Sequence, residues 1–161
     1  MKLGSKAIQQ LAEWGAFQNE HRDLKVENDQ CAITGQVSAA DNLSCSLGQL
    51  RLTPRAERRL TAEELEAWGT RVAKRVRYML EAIETVELDR PHGRLLLRST
   101  PPEKKADGSV YYYELQLNAT GMLAFERRRF DPKSRARAAE PMHCTRELLE
   151  KLVDDLAASV A

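Results

Sequence analysis

The residues whose types and spacing point to chemistry lie in the second half of the chain. Arg127-Arg128-Arg129, followed by Lys133, Arg135 and Arg137, sets six cations within eleven residues against one anion, Asp131. Tyr111-Tyr112-Tyr113 precedes this run. On neighbouring strands, guanidinium groups beside aromatic rings can grip phosphates and stack bases. The same residues also serve an ordinary sheet. Arginine and tyrosine pair across exposed strands, and arginine on an edge blocks sheet-to-sheet aggregation. The rest of the chain offsets the charge: residues 1–50 carry 4 basic and 6 acidic side chains, and the whole chain is +1. The net field therefore favours neither nucleic acid nor acidic lipid. Tyr111, Tyr113, Arg127, Arg128 and Arg129 are the candidate binding residues on this reading.

Other chemistries find little support. His21, His92 and His143 show no metal-ligand spacing with a cysteine or carboxylate on a common helix face. His143 and Cys144 are adjacent, so on an extended segment they point opposite ways. Cys144 precedes the helix cap Thr145, the one hint of a lowered thiol pKa, but nothing in the sequence brings a base to it. The eight glycines are scattered, with no phosphate-binding loop. Glu114 and Glu126 are the only carboxylates expected to face each other on a sheet, and a shared proton there would require burial. No catalytic residue, metal or cofactor is assigned.

The elements that must position these residues are read from periodicity and turn chemistry. A first helix is expected after Ser5 to about Glu20, with Ile8, Leu11 and Trp14 on one side. Residues 24–53 read as two or three strands. Asn28-Asp29 turns the chain, Cys31, Ile33 and Gly35 alternate with polar neighbours, Ser38–Ser44 is a loop, and Pro54 ends the last strand. Thr61 and Glu64 form a capping box, with Leu60 and Leu65 as a hydrophobic staple. The apolar stripe Leu65, Trp68, Val72, Val76, Met79 and Ile83 follows. Arg90-Pro91-His92-Gly93 then links two strands, placing Leu88 opposite Leu95, Val86 opposite Leu97, and Asp89 beside Arg94. Thr100–Gly108 is a polar loop. A turn at Ala119-Thr120-Gly121, with Gly121 left-handed, sets Leu117 opposite Leu123, Leu115 opposite Phe125, Tyr113 near Arg127 and Tyr111 near Arg129. The same register sets Glu114 against Glu126. Residues from Asp131 leave the sheet, and Thr145 caps a last helix to about Ser159.

The expected class is α+β, in the order α-β-β(-β)-α-β-β-β-β-α: an antiparallel sheet of about six or seven strands with three helices on one face or end. The chain of 161 residues, 42% apolar and 30% charged, is expected to form a single domain over 1–161. No signal peptide or spanning helix is read, and three well-separated cysteines suit a reducing compartment. A cytoplasmic location is therefore expected. In element order alone the layout resembles small α/β secretion chaperones and related peptide-binding folds, with no shared motif. The leading expectation is a non-enzymatic protein- or peptide-binding domain, adaptor or chaperone-like, able to form a homodimer. The alternatives are a nucleic-acid-binding module on the arginine and tyrosine strands, and a small enzyme with a pocket between helix and sheet.

Overall fold

Two threonines start the best-defined helices. The Thr61 hydroxyl accepts the Glu64 N–H at 3.1 Å and the Glu64 carboxylate accepts the Thr61 N–H at 3.1 Å. This reciprocal pair heads α2 (Ala62–Arg75). Thr145 likewise accepts the Leu148 N–H at 3.0 Å at the head of α3 (Arg146–Ala158). The first helix, α1 (Leu3–Trp14), stops well short of the expected Glu20, because Gly15 takes φ 72° and Phe17 turns away to bridge Ala40. The second helix also ends early. A 3₁₀ turn over Arg77–Met79 follows it, and Ile83, expected on its stripe, belongs to the next strand.

The computed structural model describes residues 1–79 and 81–160. Its strands are β1 (Arg22–Glu27), β2 (Cys31–Ala40), β3 (Ser44–Pro54), β4 (Ala82–Asp89), β5 (Arg94–Thr100), β6 (Glu103–Lys104), β7 (Val110–Asn118), β8 (Leu123–Phe130), β9 (Arg137–Glu140) and β10 (Met142–Thr145). All pair antiparallel, in the spatial order β1-β2-β3-β8-β7-β5-β4, with β10 beside β3, β9 beside β8 and β6 beside β7. The class and element order are those expected. The sheet exceeds the expected strand count because short strands form in stretches read as loops. Glu103–Lys104 pairs within the Thr100–Gly108 segment, and residues 137–145 return to the sheet. Ser38–Ala40, read as loop, stays in β2 because β3 continues opposite it; the turn is confined to the residues after Ala40.

Two meanders thus meet at one seam. β3 pairs with β8 in a short ladder of Leu50, Arg51 and Leu52 against Phe125, Ala124 and Leu123. Beyond that, β10 takes over beside β3 and β9 beside β8. The β7–β8 register is the expected one throughout, and Gly121 has φ 92°, a conformation that suits glycine. The β4–β5 register holds at Leu88–Leu95 and Asp89–Arg94 but shifts between Thr85 and Glu87. Thr85, not Val86, lies opposite Leu97, and Val86 is exposed on the bulge.

All three helices pack on one face of the sheet: α1 over β1, α3 over β2, β3 and β10, and α2 over β4, β5 and β7. α3 lies between the other two. Beneath them lie the fully buried Leu24, Ile33, Leu50, Leu52, Leu115 and Phe125. The Trp68 indole donates to the Ser159 hydroxyl at 3.0 Å, tying α2 to the end of α3. α1 and α3 meet at Gly4, whose N–H donates to Asp154 at 2.7 Å. A Cβ at Gly4 would lie 2.3 Å from the Glu150 carbonyl oxygen. Glycine to alanine inside a helix ordinarily gains about 0.5–1 kcal/mol. Here the clash is with backbone, so the sign reverses: Gly4→Ala is expected to lose about 1–3 kcal/mol. Urea unfolding checks this, and a raised midpoint would show that the two helices can part freely.

Candidate binding surface

Strand alternation divides the predicted arginine and tyrosine cluster between two faces. Tyr111, Tyr113, Arg127 and Arg129 share the helix-bearing side of β7 and β8, past the end of the helix layer, while Tyr112 and Arg128 lie on the bare side. Arg127 stands 4.4 Å from the Tyr113 ring centre and 5.8 Å from that of Tyr111. It bonds to Glu103 at 2.8 Å and Glu81 at 3.4 Å, and its side chain is only 12% exposed. Arg129 donates to the Ser109 hydroxyl at 3.0 Å and lies 3.9 Å from Asp107. Arg128 bonds to Glu126 at 3.1 Å. Arg127, Arg128 and Arg129 therefore each have a carboxylate of this chain beside them. Lys105 and then Arg127 hold the Glu103 carboxyl below its ordinary range.

The bare face carries its own polar lattice. Arg98 and Gln116 donate to Glu114 at 3.0 and 3.2 Å, while Arg128 and Gln49 donate to Glu126 at 3.1 and 3.2 Å. Glu114 and Glu126 do face each other, as the register predicts, and each is answered by its own arginine. Arg137 donates to the Tyr112 hydroxyl and lies over the Phe130 ring at 4.8 Å. Toward the turns, one straight row crosses five strands: Arg51, Ala124, Gln116, Leu96, Glu87. The small Ala124 lets the floor dip into a groove of about 370 Å³, with Arg51 and Glu87 at its two ends. A second groove, of about 380 Å³, runs on the other face between α2 and β4.

The strands at the two ends of the main path, β1 and β4, are finished differently. On β1, Gln10 of α1 accepts the Lys25 N–H at 3.0 Å, and Lys6 donates to the Glu27 carbonyl at 2.9 Å. Helix side chains thus take up two of the outward backbone groups of that edge. No such contact is found on β4 among the described residues. Ala82, Glu84, Thr85, Val86 and Glu87 are all exposed there, Val86 to 52%. The candidate binding residues read from the sequence did not include these. The signal was present nonetheless. Ile83 and Leu88 both turn inward, yet they are an odd number of residues apart, which a strand of period two permits only with a bulge between them.

The thiols are placed against nucleophilic use. Cys45 and Cys144 lie opposite each other on β3 and β10, both buried. Burial pushes the Cys45 thiol up to about 11 and that of Cys144 up to about 12, the reverse of what an activated cysteine needs. His143 points the other way, as expected, with Nδ1 2.7 Å from the Ser46 hydroxyl. His92 pairs with Asp89 at 2.9 Å in the β4–β5 turn. Among the described residues, no group of three or more His, Cys, Asp or Glu is arranged to hold a metal ion, and no helix is long and apolar enough to cross a membrane. Comparison with protein-family models, curated proteins and solved structures found no match.

Proposed function

We propose that the protein is a non-enzymatic, adaptor- or chaperone-like binding domain that takes an extended segment of a partner polypeptide along β4. The observation that carries this reading is the unequal finish of the strands at the two ends of the main sheet path: α1 side chains take up two outward backbone groups of β1, whereas no side chain of the described residues does so on β4. An outermost strand presents a row of unpaired N–H and C=O groups, and an extended segment can add to the sheet there. Affinity then comes from main-chain hydrogen bonds and selectivity from alternate side chains. Engagement of Arg127, Arg128 and Arg129 within the chain favours this reading over nucleic acid, because phosphate contacts would have to displace carboxylates already in place.

The test is selection of short peptides from a random display library on the folded protein, followed by hydrogen exchange on the selected complex. The expected result is a consensus whose binding slows exchange of amides in 82–89 and leaves those of 22–27 unchanged. Enrichment of nothing above background, or protection confined to other strands, would remove β4 as the site.

A further inference from the structure

The side chains along β4 also define what kind of strand fits it. Glu84 and Glu87 are three apart in sequence, but the bulge at Val86 returns both to the bare side, opposite Arg98 and Leu96 of β5. Arg98 and Leu96 are two apart, so the positions opposite them are spaced about 7 Å along the strand, the repeat of alternate residues on one face. Arg98 is turned to Glu114, and neither Glu84 nor Glu87 makes an ion pair among the described residues. On the helix side, the groove beside β4 has a floor of small and apolar residues, Gly69, Ala73, Ile83 and Leu97, with Lys74 and Arg77 at its rim. Both cations are exposed and make no ion pair among the described residues.

We propose, resting on the reading of β4 as a docking edge, that the occupant is an extended partner segment of the pattern basic-x-basic. Its two Lys or Arg side chains meet Glu84 and Glu87, and the residue between them is apolar and enters the groove beside α2. A second copy of β4 is disfavoured as occupant. Antiparallel self-pairing about Thr85 and Val86 would set Glu84 of one copy against Glu87 of the other, and directly opposed like charges repel. The acidic pair thus opposes self-association in that register while admitting a basic strand, an unlike-charge device for selectivity.

The experiment uses fluorescein-labelled peptides of sequence Thr-Val-Lys-Val-Lys-Val-Thr. Controls replace both lysines by threonine or by glutamate, or set the two lysines side by side. Binding is read by anisotropy at low and moderate salt, with exchange of the 82–89 amides as a second readout. The alternating lysine peptide is expected to bind at least tenfold more tightly than the other three, and to weaken as salt rises. The exposed pair of substitutions Glu84→Gln and Glu87→Gln, made together and checked by circular dichroism for unchanged folding, is expected to weaken it about tenfold. If the threonine or glutamate peptide binds equally well and protects β4, the edge docks strands but the charge pattern proposed here is wrong. Equal binding by the adjacent-lysine peptide would leave only general attraction and refute the register. Should no peptide protect β4, both readings fall together.

Discussion

Phe125→Ala is expected to lose about 3–5 kcal/mol of folding stability. The ring is fully buried and sits where the two meanders meet, with Leu50 of β3 on one side and Leu115 of β7 on the other. It also lies 5.6 Å from the Tyr113 ring, tilted at 30°. Truncation would remove apolar contacts and leave a cavity that the flanking strands cannot collapse into without losing their own pairing. Among the described residues, the rest of the seam is the two ladder pairs Arg51–Ala124 and Leu52–Leu123 and the Gln49–Glu126 hydrogen bond. Against a total of about 5–15 kcal/mol for an ordinary domain, the loss is a large fraction. Equilibrium unfolding in urea measures it. A cost below about 1 kcal/mol would mean that the helix layer, and not the seam, joins the halves.

The second large effect is expected at Arg127. Arg127→Ala should cost about 2–4 kcal/mol, since truncating one member of a buried ion pair strands the other. Arg127 and Glu81 are 12% and 15% exposed. The Glu103 contact is at 45% exposure on its carboxylate side and contributes little. Arg127→Met, which keeps an apolar stem against Tyr113, should recover part of the loss. Arg135→Ala, exposed beyond the strand, should fall within about 0.5 kcal/mol of the parent. The measurement also decides between roles. An Arg127→Ala protein as stable as the parent, but deficient in salt-sensitive oligonucleotide binding, would restore the nucleic-acid reading.

How far the fold could be read in the residues depended on whether the deciding interaction was local. The β7–β8 register followed from a three-residue turn and the alternation of Leu115, Leu117, Leu123 and Phe125, all within one hairpin. The capping box at Thr61 and the cap at Thr145 are local too. The β9 strand was not legible, because Arg137–Glu140 has no strand-like composition and is extended only because β8 pairs with it. Ser38–Ala40 is the same case, with small polar residues held straight by β3. The tyrosine and arginine positions were correctly paired across strands, but the engagement of the arginines by carboxylates was not foreseeable. It depends on Glu81 and Glu103, which reach Arg127 from elements distant in sequence. The open edge at β4 was hidden for a similar reason. Which strand is outermost depends on long-range pairing, and only the odd spacing of Ile83 and Leu88 was there to be read.

The contact between Gly4 and Asp154 joins residues 150 positions apart. On a ribosome adding about 5–20 residues per second, roughly 7–30 s separate their synthesis. Throughout that interval the apolar side of α1 has been made while α3, its main neighbour, does not yet exist. β3 must likewise wait for Leu123 and Phe125 before its free side is filled. The nascent chain therefore carries an unfinished sheet with an exposed apolar surface until α3 has been made. Its yield in a cell should depend on whatever shields that surface during translation more than on the stability of the finished fold.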